Sequence, residues 1–135
     1  MMNEQDTLGL MVMVSPVLWY SESVGKVGLI EATDLAENEV WVRFEDGDLL
    51  SFSPQILFML RTPAELNELA ENRKGYLLPP VPLELKIIAG FQQEGSAQSI
   101  REAFERLRDD PELHRWATVR LNEVLDVTPK RRIGR

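Results

Sequence analysis

The chain contains no cysteine. That excludes a disulfide framework, a thiol nucleophile and cysteine-ligated zinc. It agrees with a reducing cytoplasm without requiring one. Histidine occurs once, as His114, which leaves too few ligands for a transition-metal site, and no cofactor is expected. Long apolar runs are missing too. The stretch from Leu8 to Val14 is far too short to span a bilayer. The opening Met-Met-Asn-Glu-Gln-Asp carries acids where a signal peptide needs positive charge, so the expected compartment is the cytoplasm, with no membrane partner.

Positive charge is also scarce. There are 15 Lys and Arg against 22 Asp and Glu, for a net charge of −7. Lys130, Arg131, Arg132 and Arg135 follow Asp126 with no acid among them. Those four contribute +4, so the rest of the chain stands at −11 against the total of −7. A surface this negative repels phosphate backbones unless its cations gather on one face, and nucleic acid is not an expected partner. No phosphate-loop, dinucleotide-binding or nucleophile-elbow pattern occurs. Gly25-Lys26-Val27-Gly28 is too short for a phosphate loop and belongs to the entry of a strand.

What remains is ordinary globular material: 135 residues, 44% hydrophobic and 27% charged. A chain of this length buries roughly two-thirds of its unfolded surface, enough for a core without staples. The pattern predicts a loose polar segment over residues 1–7, then a strand from Leu8 to Val14. In that strand Leu8, Leu10, Val12 and Val14 share one face while Met11 and Met13 share the other, so both faces need cover. Ser15-Pro16 ends it. Strands follow at Lys26–Thr33 and Val40–Phe44, separated by an acidic turn. Alternation puts Val40, Val42 and Phe44 on one side of the second, and Trp41 and Arg43 on the other. Asp46-Gly47 is a strong hairpin signal, with residues 48–52 as the returning strand and Gln55–Leu60 as a turn or strand.

Helical punctuation begins at Thr62-Pro63-Ala64-Glu65, a capping box with proline in the first turn. Leu78-Pro79-Pro80-Val81-Pro82 reads as a stiff linker. Helices are predicted over residues 83–93, after a cap at Ser96 or Ser99, and from Asp110-Pro111 onward. The last carries a single stripe of Leu113, Trp116, Ala117, Leu121, Val124 and Leu125.

The run from Gly25 to Gly47, with Gly-Lys-Val-Gly-Leu-Ile, Val-Trp-Val-Arg-Phe and Asp46-Gly47, resembles small SH3-like barrels of the KOW and Tudor-like types. The resemblance covers about the first 60 residues. It implies an α+β protein: a five-stranded SH3-like β-barrel over residues 1–61, helices over 62–127 packed against it, and a basic tail over 128–135. Fold resemblance alone transfers no function.

The aromatics Trp19, Tyr20, Trp41, Phe44 and Phe52 lie within or beside the strands. In Tudor-like domains such residues can cage a methylated cation, but filling and covering the barrel is the preferred reading here. Trp41 stands opposite the barrel core. It is expected to meet the helices or a second copy of the chain, with Arg43 beside it pairing with a carboxylate of the covering surface. His114 is read as a surface or interface histidine. The carboxylates around the two turns are read as solvated turn chemistry. Taken together, these features predict a non-enzymatic interaction module with a protein partner or a homo-oligomeric state. Trp41, Arg43, Trp19 and Tyr20 form its candidate interface. The alternative is an RNA- or ribosome-associated KOW-like protein using Lys130, Arg131, Arg132 and Arg135.

Overall fold

A computed structural model describes residues 2–16, 23–72 and 77–125. Its backbone is α+β. The strands are β1 (Met11–Val14), β2 (Val27–Asp34), β3 (Glu39–Phe44), β4 (Leu49–Phe52), β5 (Leu57–Leu60) and β6 (Thr118–Arg120). They form one antiparallel sheet in the order β4-β3-β2-β1-β5-β6. The sheet does not close. Among the described residues β4 and β6 are its edges, so the expected closed five-stranded barrel gives way to an open six-stranded sheet. The helices are α1 (Glu4–Thr7), α2 (Pro63–Asn72), α3 (Val81–Glu94), α4 (Ala97–Arg108), α5 (Pro111–Ala117) and α6 (Leu121–Val124). Among the described residues none is long and apolar enough to cross a membrane.

Local chemistry accounts for most of these elements. The hairpin after β3 closes where Gly47 adopts φ +99°. There the Asp46 carboxylate accepts from the Asp48 amide at 3.0 Å, and Arg43 Nη1 donates to the Gly47 carbonyl at 2.9 Å. The capping box before α2 is complete: the Glu65 amide donates to Thr62 Oγ1 at 3.2 Å, and the Thr62 amide donates to Glu65 Oε1 at 2.9 Å. Ser96 caps α4 and Asp110 caps α5 through their side-chain oxygens. Ser99 is buried inside α4, where its hydroxyl donates to the Phe91 carbonyl at 2.9 Å.

Three local expectations change. The N-terminal segment is ordered into α1 by a reciprocal Asn3–Asp6 capping box, and the first strand begins only at Met11. The proline-rich linker ends at Pro80, because Val81 and Pro82 already belong to the first turn of α3. The predicted last helix breaks into three pieces. Thr118 Oγ1 donates to the His114 carbonyl at 2.7 Å as α5 ends. The chain then pairs with β5 as β6 before α6 forms.

That break follows from where the core lies. β1 is central and buried on both faces. Val12 and Val14 join Ile30, Val40, Val42 and Leu57 in a core on the inner side of the sheet. Met11 and Met13 join Val27 and Leu60 beneath the helical layer, whose buried members include Leu66, Leu85, Ile88 and Phe104. Leu113 and Ala117 belong to the helical core, whereas Leu121 and Leu125 belong to the inner one. One straight helix would hold all four on a single face. The extended β6 carries the chain across the sheet edge so that both cores receive a cap, and its β-branched Thr118 and Val119 suit the strand.

Gly28 shapes the inner side. A Cβ there would lie 2.6 Å from Val42 Cγ1 and 2.7 Å from the Arg43 carbonyl oxygen. Only a residue without a side chain lets β2 approach β3 this closely.

Candidate functional site

The helical layer covers only part of the outer sheet face. Met11 pairs with Leu29, Leu29 with Arg43, and Arg43 with Leu49, so these side chains share one side. Met11 is buried under helices, yet Leu29 and Leu49 are exposed. Trp41 lies on this same bare side, between the cross-strand neighbours Ala32 and Ser51, both small. It is half-buried and belongs to the packing of neither core. Of the two covers expected for Trp41, the helices or a second copy of the chain, the described helices do not supply the first. The outer helices pack over β1 and the start of β2, with Arg101 of α4 reaching Glu45 just past β3, and none of them packs on Trp41.

Arg43 also departs from expectation. It pairs not with a covering carboxylate but with Glu31 on the adjacent strand, through Nε–Oε2 at 2.7 Å and Nη2–Oε1 at 3.0 Å. The guanidinium holds the Glu31 carboxyl below its ordinary pKa through these hydrogen bonds, and the carboxylate raises Arg43 in return. Both groups are in solvent, so the pair neutralises the face without anchoring it. Among the described residues β4 forms the free edge of this surface. Leu49 is on the bare outer side, and Leu50, opposite Val42, is on the inner side yet 40% exposed at the open rim.

Trp19 and Tyr20, the other members of the expected interface, lie outside the described residues, as do Lys130, Arg131, Arg132 and Arg135. The described aromatics do not converge into a cage. Phe44 packs edge-on against Phe52 at 5.9 Å on the inner side, away from Trp41.

A second surface lies at the other end of the sheet. A cleft of about 430 Å³ opens beside β5, β6 and α5. Among the described residues Arg61, Arg108, Arg115 and Arg120 line it, together with His114, Phe58 and one carboxylate, Glu123. His114, expected as a surface or interface histidine, is only 8% exposed in the chain, and its ring packs edge-on against Phe58 at 4.6 Å. Its Nε2 is buried with no hydrogen-bond partner among the described residues. Burial first, and the Arg120 charge second, hold the imidazole below its ordinary pKa. The sequence signal was faint: these arginines are spread over sixty residues, and each looks like a solvated charge on its own element. Among the described residues no group of three or more His, Asp or Glu is placed to hold a metal ion.

No protein-family model matches the chain, and neither does any curated protein or solved structure.

Proposed function

We propose that the protein is a non-enzymatic interaction module that binds a partner protein through the open face and free edge of β2–β4. The carrying observation is that β4, unpaired on one side among the described residues, exposes Leu49 and Leu50 beside Leu29 and the half-buried Trp41. Unpaired backbone groups next to apolar side chains are a template for strand addition. The occupant is an extended apolar segment carrying basic residues. Glu45, Asp46 and Asp48 crowd one end of the β3–β4 hairpin, and Asp34, Glu37 and Glu39 crowd the entry to β3. The SH3-like reading of the first half draws support from five strands in one continuous sheet and from the close approach at Gly28.

The test is affinity capture with the wild-type chain and with Leu49→Glu, Trp41→Ala and Arg120→Ala variants. Hydrogen exchange is then measured on the complex. The expected partner is lost with the first two substitutions and kept with the third, and it protects the β4 amides. A partner held equally well by all the variants, or one that leaves β4 unprotected, refutes the assignment. Self-association abolished by the same two substitutions replaces the foreign partner with a second copy.

A further inference from the structure

We propose that the cleft beside β5, β6 and α5 is a binding site for the phosphoryl group of a phosphorylated small molecule, held by Arg61, Arg108, Arg115, Arg120 and His114. This is independent of the sheet-face reading.

The first ground is charge. The chain carries −7 overall, yet among the described residues four arginines line one cleft with a single carboxylate, Glu123. Arg61, Arg108 and Arg120 have no carboxylate within ion-pair distance among the described residues, and Arg115 has only Glu112 at 3.9 Å. Carboxylates are abundant elsewhere on this surface, so their scarcity here leaves cationic capacity for a ligand.

The second ground is preorganisation. Arg61 donates through Nε to the Trp116 carbonyl at 3.1 Å, and Arg108 through Nε to the Gly25 carbonyl at 3.0 Å. Each side chain is anchored at Nε, which leaves its terminal amino groups available. Arg120 is stacked over Phe58, with its guanidinium carbon 5.5 Å from the ring centroid. Such tethering removes part of the ordering cost of binding.

The third ground is His114. It is more than nine-tenths buried, lines the cleft, and has an Nε2 without a partner among the described residues. An unpaired buried nitrogen costs free energy that a ligand oxygen would recover. Nε2 is closed off from solvent in the free protein, so the neutral imidazole, protonated at Nε2, donates to that oxygen once its ring turns toward the cleft.

Ligand class follows from donor number and size. Four guanidiniums and an imidazole offer more donors than the two oxygens of a carboxylate can accept. A phosphate monoester presents three terminal oxygens and a charge approaching −2 at neutral pH. A cleft of about 430 Å³ suits a small molecule. The acidic surface around it disfavours a polyanion that must lie across the protein.

His114 is the only histidine, so its imidazole proton resonances report on this cleft without ambiguity. The experiment titrates the full chain with inorganic phosphate, pyrophosphate and glycerol phosphate at constant ionic strength, with succinate, chloride and a single-stranded RNA oligonucleotide as controls. A saturable shift of the His114 resonances by at least one phosphate probe is expected, together with a rise in the His114 pKa on binding. Arg120→Ala and Arg61→Ala are expected to weaken binding about tenfold or more each. The proposal is overturned if no phosphate probe gives a saturable shift, if succinate or chloride reproduces it, or if both arginine variants bind as the wild type does. RNA binding with no response to the small probes overturns it equally.

Discussion

Replacing Gly28 by alanine adds one methyl group at the tightest point between β2 and β3. Its Cβ would stand 2.6 Å from Val42 Cγ1, 2.7 Å from the Arg43 carbonyl oxygen and 3.0 Å from Phe44 Cδ1. Relaxed carbon contacts lie at about 3.5–4.0 Å, so three contacts are short together. The neighbours have little freedom to yield. Val42 is fully buried and β-branched, with one stiff side-chain torsion. The Arg43 carbonyl is backbone, within the strand that pairs with β2 on one side and β4 on the other. Relief requires the strands to separate. Overpacking of this kind costs about 3 kcal/mol, a large part of the stability of an ordinary domain. For a chain of this length that corresponds to a melting point lower by about 10 °C. Gly90→Ala is the matched control. Gly90 is exposed inside α3, and a Cβ there meets nothing within 4 Å. That variant is expected to gain about 0.5–1 kcal/mol from helix propensity. Urea unfolding followed by circular dichroism and tryptophan fluorescence measures both variants. If Gly28→Ala lies within about 0.5 kcal/mol of the wild type, β2 and β3 do not approach as described, and the curvature of the inner face is wrong.

Trp116 is only partly buried, its indole Nε1 donating to Glu112 Oε2 at 2.9 Å, so Trp116→Ala is expected to cost about 2 kcal/mol. Phe104→Ala, fully buried in the same core, is expected to cost about 3–5 kcal/mol, and denaturant unfolding that reverses the order contradicts the packing. His114 has a folded-state pKa below its ordinary value of 6.5, so its contribution to stability is complete above that value and is lost as pH falls through the folded-state pKa. Melting points recorded between about pH 7 and pH 5 are expected to fall less steeply for His114→Gln than for the wild type, and parallel slopes refute this. A fragment of residues 1–61 lacks β6, the Leu121 and Leu125 cap of the inner core, and the helical cover over Met11 and Met13. It is expected to show no cooperative thermal transition, and a sharp one at the full-chain temperature sinks the two-sided role of β1.

Much of this protein was legible in its sequence wherever the controlling interactions are local. The alternation of Val40, Val42 and Phe44, the Asp46-Gly47 turn, the Thr62–Glu65 capping box and the caps at Ser96 and Asp110 each specify an element within a few residues, and the structure contains them. The two apolar faces of β1 announced a strand covered on both sides, because a strand's side-chain period is too simple to be masked. What needed tertiary structure was every decision about which surface meets which. Nothing between Leu113 and Leu125 signals that the stripe must serve two cores, since periodicity records spacing and not the layer each residue enters. The bare side of Trp41 depends on how far the helices reach across the sheet. The Glu31–Arg43 pair depends on strand register, which a bulge between Ile30 and Ala32 shifts. The arginine cleft is assembled from the end of β5, the end of α4, α5 and β6. No local pattern holds these segments together, and only packing of the helices on the sheet sets four distant arginines around one buried histidine.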